Sequence, residues 1–134
     1  MNAVSSNGPI PKDSTQGMIL VVDDNQNVTR ALSFLLKDAG YRPVVFHQGQ
    51  AALAFSRDEI PVAALVDIHL PDINGLVLSQ KLRDQFGPDV PIIVLSGDTS
   101  MENLKSLPHV GATYFFSKPV NSASLLERLK EWLQ

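Results

Sequence analysis

Short, largely apolar runs alternate with amphipathic stretches along most of this chain. Each run is five or six residues long and is bounded by polar or turn-forming residues, which is typical of strands covered on both faces of a parallel sheet. The stretches between the runs repeat apolar residues at helical spacing. The runs that predict strands are Met18–Val22, Arg42–Phe46, Val62–Val66, Val90–Leu95 and Ala112–Phe116.

Helical spacing and turn signals separate the five runs. Gly40 follows the first helical stretch, as a C-cap glycine does, and Gly87 with Pro88 ends the third. Pro108 shortens the fourth helix, which carries Met101, Leu104 and Leu107. Five βα units in strict alternation predict an α/β fold with a doubly wound, five-stranded parallel sheet and five helices on its two faces.

The length and the N-terminal composition indicate a single domain. A chain of 134 residues is enough for one compact domain and too short for two ordinary ones. Residues 1–16 are polar and lack periodicity, so we expect a disordered leader or linker there. The folded domain is therefore expected to span residues 17–134.

Composition and charge exclude several classes of protein. The net charge of −3 argues against direct nucleic-acid binding through phosphate neutralisation. The absence of cysteine excludes disulfides, thiol catalysis and thiolate metal sites. No apolar run is long enough for a membrane span, and the N-terminus is not a secretory signal. We therefore expect a cytoplasmic protein that does not enter a membrane.

Five polar residues stand at or just beyond the ends of the predicted strands. In an open α/β sheet, ligands bind outside the carboxyl ends of the strands, near the switch in strand order. All five are expected to meet there, although strands and polar residues are independent features of the sequence. They are Asp23, Asp24, Asp67, Ser96 and Lys118.

The residue types at this edge favour a divalent cation and a phosphoryl group. Adjacent carboxylates such as Asp23 and Asp24 repel each other unless a cation compensates, and Mg²⁺ prefers oxygen ligands. Alternatively, Asp24 and Asn25 could simply cap the first helix. Asp67 could accept a phosphoryl group as an acyl phosphate, although by itself it would be read as a turn residue.

Ser96 and Lys118 complete the predicted chemistry. The Ser96 hydroxyl could bond a phosphoryl oxygen, with Gly97 allowing close approach of the backbone, and the Lys118 ammonium could reach another oxygen. Individually they could be an ordinary turn serine and a solvent-exposed lysine. Together the residues predict positioning and charge stabilisation of a phosphoryl group, with Asp67 as the attacking group.

Four segments carry a resemblance to a known family. They are VVDDN (Val21–Asn25), LVDIHLPDINGL (Leu65–Leu76), VLSGD (Val94–Asp98) and FFSKP (Phe115–Pro119). In order, spacing and strand context the chain resembles the receiver domain of two-component response regulators over about residues 17–134. The resemblance implies the flavodoxin-like strand order 2-1-3-4-5.

The resemblance also implies individual roles. The groups expected to hold Mg²⁺ are Asp23, Asp24, Asp67 and the backbone carbonyl of His69. The residues expected to act on the phosphoryl group are Asp67 as phosphoacceptor, Lys118 as phosphate-binding lysine, Ser96 as switch hydroxyl and Phe115 as switch aromatic. Phe115 replaces a frequent tyrosine and so lacks its hydroxyl. A cis peptide is expected before Pro119.

The implied function is a phosphoacceptor signalling switch. A histidine kinase or a histidine phosphotransfer protein would donate the phosphoryl group to Asp67, with Mg²⁺, and the conformation of the output face would shift. The chain would not be an enzyme beyond self-catalysed phosphotransfer and autodephosphorylation. An output domain could be fused or separate, and the oligomeric state is open.

Several alternatives stay open at this stage. The fold could serve as a phosphate-independent pseudo-receiver that binds partners. An aspartyl phosphatase is disfavoured because His69 stands where its acid/base would be, and a flavodoxin-like cofactor protein because Asp23 and Asp24 would repel a phosphate. His69 could tune phosphoryl hydrolysis or be a solvated loop residue, and Asp98 could do the same or cap the fourth helix.

Overall fold

The computed structural model describes residues 16–97 and 111–133. Its nine elements are β1 (Met18–Val22), α1 (Gln26–Asp38), β2 (Arg42–Phe46), α2 (Gly49–Ser56), β3 (Ala63–Asp67), α3 (Gly75–Phe86), β4 (Ile92–Ser96), β5 (Tyr114–Ser117) and α4 (Ser122–Trp132). The fourth predicted helix and Asp98 lie outside the described residues. The predicted leader does too, except for Gln16, whose N–H already bonds the Gly40 carbonyl at 2.9 Å.

All five strands are parallel and lie in the order β2-β1-β3-β4-β5. This confirms the doubly wound α/β fold and the strand order 2-1-3-4-5. The order reverses between β1 and β3, so the crevice at the switch point opens beside the carboxyl ends of these two strands.

The core is divided between the two faces of the sheet. β1, β3 and β4 are buried along their whole length, because helices cover them on both sides. On one face α1 and α4 pack through Leu32, Leu36, Leu125 and Leu129, and on the other α2 and α3 pack through Ala52, Leu53, Leu78 and Leu82. The apolar stripe of the last helix is thus part of the core.

Side-chain caps begin three of the described helices. The N-caps of α1, α3 and α4 are Asn25, Asn74 and Asn121, and each amide oxygen accepts a backbone N–H from the first turn. Asn25 therefore caps α1 and Asp24 does not, which leaves the Asp24 carboxylate available for other contacts. Gly40 follows α1 with a φ of 96°, the left-handed conformation that favours glycine.

Three strands begin later than the sequence predicts. β3, β4 and β5 start at Ala63, Ile92 and Tyr114. For β4 the reason is Pro91, which lacks an N–H and can only accept a ladder bond, here from the Ala64 N–H at 2.9 Å. At their other ends β3 and β4 extend to include Asp67 and Ser96.

No helix within the described ranges 16–97 and 111–133 is both long and apolar enough to cross a bilayer.

Candidate functional site

The parallel register brings the predicted polar residues to one edge of the sheet. Val22 of β1 pairs with Val66 of β3, so Asp23 and Asp67 stand next to each other at the ends of adjacent strands. Ser96 ends β4 and pairs with Ser117 of β5, and Lys118 follows directly. Asp24, Asp67 and Lys118 thus converge from the carboxyl ends of three strands, which is the arrangement the sequence predicts.

Three carboxylates form the acidic cluster of this edge. Asp23, Asp24 and Asp67 each offer one oxygen, and these oxygens lie within 4.8 Å of one another. Asp23 is fully buried and Asp67 is 4% exposed, whereas Asp24 is exposed. This oxygen donor set, open to solvent on one side, fits a hard divalent cation such as Mg²⁺, which keeps several water ligands.

Lys118 is the cation that faces the acidic cluster among the described residues. Its Nζ lies 2.7 Å from Asp23 Oδ2 and 3.3 Å from Asp67 Oδ1, and its backbone N–H donates to the Ser96 carbonyl at 2.9 Å. The Lys118–Pro119 peptide is cis, as predicted. One ammonium against three carboxylates leaves an excess of negative charge, which a divalent cation would balance.

Burial and neighbouring charges shift two pKa values in the cluster. The pKa of Asp67 is raised, first by burial and then by the Asp23 charge, while the Lys118 ammonium and the His69 N–H oppose the shift. Burial lowers the pKa of Lys118, but its hydrogen bonds and charge interactions with Asp23 and Asp67 outweigh burial and raise it overall. Lys118 therefore stays charged at neutral pH, and a cation bound at the cluster would oppose the upward shift of the Asp67 pKa.

The segment Ile68–Asn74, which we call the site loop, leads from Asp67 to α3. Its ends are closed by an antiparallel bridge between His69 and Asn74 and by the Gly75 N–H, which donates to the Ile68 carbonyl at 2.7 Å. A Cβ on Gly75 would lie 2.0 Å from the Asp67 carbonyl oxygen. Only glycine allows this approach, so Gly75 sets where Asp67 sits, although sequence reasoning gave it no role.

Ser96 and His69 also lie at this edge of the sheet, and Phe115 lies on β5, the strand that precedes Lys118. Ser96 is fully buried at the end of β4, and Phe115 is half-buried and pairs with Val94. Tyr114 and Phe116 pack on the α1–α4 face, so alternation places Phe115 on the other face. His69 lines an open recess together with Asp24, which brings it to the edge of the acidic cluster.

Two residues that sequence reasoning missed hold the loops of the site. His47 Nδ1 lies 2.9 Å from the Asp23 carbonyl oxygen, and the Asp72 carboxylate accepts the N–H groups of Gly49 and Gln50 at 2.9 and 2.8 Å. Apolar periodicity carries no information about these contacts. The Asp within LPDINGL was visible, but its partners are 22 and 23 residues away along the chain.

Comparison with known proteins agrees with this geometry. Residues 19–130 match the sequence profile of the response regulator receiver domain. A receiver domain protein (CheY-like) from Methanospirillum hungatei has 34% sequence identity and a TM-score of 0.81, covering 87% of this chain and 92% of that one. The chain therefore belongs to the receiver domain family of response regulators.

Two further similarities extend the comparison. A response regulator from Burkholderia pseudomallei, solved with a phosphorylated aspartic acid, a calcium ion and citrate, is 33% identical with a TM-score of 0.76, over 81% of this chain and 64% of that one. The CAI-1 autoinducer sensor kinase/phosphatase CqsS of Vibrio cholerae is 30% identical over 93% of this chain. The chain spans 18% of the length of CqsS.

Proposed function

We propose that this chain is the phosphoacceptor switch of a two-component phosphorelay in the cytoplasm, with Asp67 as the residue that is phosphorylated. The observation that carries the proposal is the buried Asp67 carboxylate beside Lys118 and two further carboxylates, at the switch point of the sheet. Membership of the receiver family supports it, as does the phosphorylated aspartic acid in the Burkholderia relative.

In the proposed reaction, a carboxylate oxygen of Asp67 attacks the phosphorus of a phosphohistidine. The new O–P bond forms as the P–N bond breaks, and its electron pair returns to the imidazole, which takes up a proton. The product is an acyl phosphate on Asp67, and hydrolysis by water regenerates the carboxylate. Beyond this self-catalysed transfer and autodephosphorylation, we propose no enzymatic turnover.

The side chains around Asp67 supply charge and position. Lys118 is held by Asp23 within reach of Asp67, so its ammonium can follow the phosphoryl oxygens. Asp23, Asp24, Asp67 and the His69 carbonyl would hold Mg²⁺, which supplies neutralisation of the transferred group when bound. We propose that Ser96 and Phe115 then move toward the phosphoryl group and so change the output face.

The donor would be a histidine kinase or a histidine phosphotransfer protein, and the output domain fused or separate. A groove of about 480 Å³ runs between α1 and the start of α4 and reaches Lys118. Its wall includes Val28, Ala31 and Leu35, so a helical partner could bury apolar surface there while its histidine approaches Asp67. The similarity to a sensor kinase/phosphatase supports a partner of this class.

Intact mass spectrometry after incubation with acetyl phosphate and Mg²⁺ tests the proposal. We expect one added phosphoryl group on the wild type and none on Asp67→Asn or on the wild type in EDTA. An adduct that survives in Asp67→Asn would contradict the assignment of the phosphoacceptor. No adduct at all, with an NMR spectrum unchanged by beryllofluoride, would favour a phosphate-independent pseudo-receiver.

A further inference from the structure

The turn that leads from β2 into α2 contacts the Asp23–Asp24 loop after β1 and the site loop after β3. We call His47–Gln50, which includes the first two residues of α2, the bridging turn. At one end His47 Nδ1 meets the Asp23 carbonyl oxygen, and because a carbonyl only accepts, Nδ1 carries the hydrogen. At the other end Gly49 and Gln50 donate to Asp72 of the site loop. Four residues with no carboxylate of their own thus join the loop of Asp23 and Asp24 to the loop of His69.

The contact with the site loop is tight. Asp72 uses both carboxylate oxygens, at 2.9 and 2.8 Å, and supplies the cap that α2 lacks, since its N-cap residue Gln48 makes no side-chain cap bond. These backbone N–H groups hold the pKa of Asp72 below its usual range, with the Gln50 N–H as the largest cause. A Cβ on Gly49 would lie 2.2 Å from the Ile73 side chain, so the two segments are packed as well as hydrogen-bonded.

The relative position of the two loops matters because their ligand groups are not all fixed by the core. Asp23 and Asp67 are buried, but Asp24 is exposed and the His69 carbonyl belongs to the site loop. The affinity for a metal ion would depend on the distance between these two loops. Residues that contact the ligands without binding the metal commonly set such distances.

We propose that His47 and Asp72 are positioning residues that, through the bridging turn, set the separation of the two metal-binding loops and thereby the Mg²⁺ affinity. The inference rests on the proposed function, because it takes Asp24 and the His69 carbonyl as ligands. Neither residue touches the reacting atoms. Removing the contact at either end of the bridging turn uncouples the two loops. Removing the second contact as well should therefore reduce the Mg²⁺ affinity little further.

Calorimetric titration of the full chain with Mg²⁺ tests this. We expect His47→Ala and Asp72→Ala each to weaken Mg²⁺ binding by roughly tenfold, and the double variant to be weaker by much less than the product of the two effects. His47→Asn, which places an amide N–H near Nδ1, and Asp72→Asn, which keeps one acceptor, should recover part of the affinity.

The matched control is Arg83→Met, which removes hydrogen bonds at the opposite edge of the sheet. It should lower stability in EDTA without changing Mg²⁺ affinity. If Asp72→Ala also lowers stability but leaves the affinity unchanged, Asp72 is only structural and the inference fails. If the loss of Mg²⁺ affinity in the double variant equals the product of the two single losses, His47 and Asp72 act independently, and the inference also fails. If the wild type does not bind Mg²⁺, the proposed function fails instead.

Discussion

Charged side chains are arranged in opposite ways at the two edges of the sheet, the amino edge, where the strands begin, and the carboxyl edge, where they end. At the amino edge, Arg83 donates to the Gly111 and Gly87 carbonyls at 3.0 and 2.8 Å and to Thr113 Oγ1 at 3.2 Å. Its pKa is lowered by burial, with the Asp89 charge opposing the shift. At the carboxyl edge, three carboxylates share the Lys118 ammonium.

The amino edge stabilises the fold, whereas the carboxyl edge carries the groups proposed for metal binding and phosphorylation. Through these hydrogen bonds Arg83 joins the end of α3 to the segments before β4 and β5. Thr113 Oγ1 also accepts the N–H of Ile92 at 3.0 Å, which links the start of β4 to the same group of contacts. The hydrogen bonds of Arg83 therefore stabilise the fold. The carboxyl edge instead holds like charges close together, which lowers stability until a cation arrives. Substitutions at the amino edge should cost stability alone, whereas those at the carboxyl edge should change metal binding and phosphorylation.

The largest expected effect is that of Lys118→Met. Removing the ammonium leaves Asp23 and Asp67 without their charge partner, so the rate of phosphorylation by acetyl phosphate should fall roughly 100-fold. Unfolding in urea with EDTA should show a loss of about 3 kcal/mol, because the buried Asp23 carboxylate loses its ion-pair partner. Mg²⁺ should restore part of that stability by binding only the folded state. An unchanged phosphorylation rate would remove Lys118 from the mechanism.

Arg83→Met should lower the free energy of unfolding by about 2 kcal/mol, because charge-assisted hydrogen bonds are lost. The phosphorylation rate and the Mg²⁺ affinity should stay at wild-type values, measured well below the unfolding transition. A parallel loss of Mg²⁺ affinity would show that the two edges are coupled and would break the comparison.

Asp24→Asn should have an effect whose sign depends on the metal. In EDTA the variant should be more stable than the wild type by about 0.5 kcal/mol, because one like charge is removed from an exposed position. In excess Mg²⁺ the order should reverse, since the wild type gains more from binding. Thermal unfolding with and without Mg²⁺ measures both. If Asp24→Asn were less stable than the wild type in EDTA, the cluster would not hold a destabilising excess of negative charge.

A comparably small effect concerns the pH dependence of the Asp72 contact. Its folded pKa is lowered, so its contribution is present above the unfolded pKa and is lost as the pH falls through the folded pKa. In EDTA, Asp72→Asn should cost about 0.5 kcal/mol at neutral pH, and the difference from wild type should shrink below the usual aspartate range. A difference that stays constant with pH would assign the contact to hydrogen bonding without charge.

Much of the fold followed from the chain pattern. The limits of β1 and β2 are as predicted, because fully apolar or turn-bounded runs leave little choice. The start of β4 was wrong by two residues, since Val90 suits a strand by composition but Pro91 cannot donate to the ladder. Phe34 lies off the apolar stripe of α1 and is 77% exposed.

The candidate site was also readable, as far as its charged residues go. Asp23, Asp67 and Lys118 could be placed together because parallel strands end at a common edge. The residues that hold the loops of the site in position could not be identified from the sequence. Gly75 packs against the Asp67 backbone at a distance that only the folded loop defines, and His47 is 24 residues from Asp23.

The sequence by itself determined the alternation of strands and helices, the two-sided burial of the sheet, and which polar residues stand at strand ends. These are local properties, because side-chain periodicity and chain breaks act over a few residues. Only the tertiary structure decided how closely Lys118 approaches Asp23, and that the bridging turn joins the Asp23–Asp24 loop to the site loop. Such contacts depend on the register and packing of segments distant along the chain, and no local pattern encodes them.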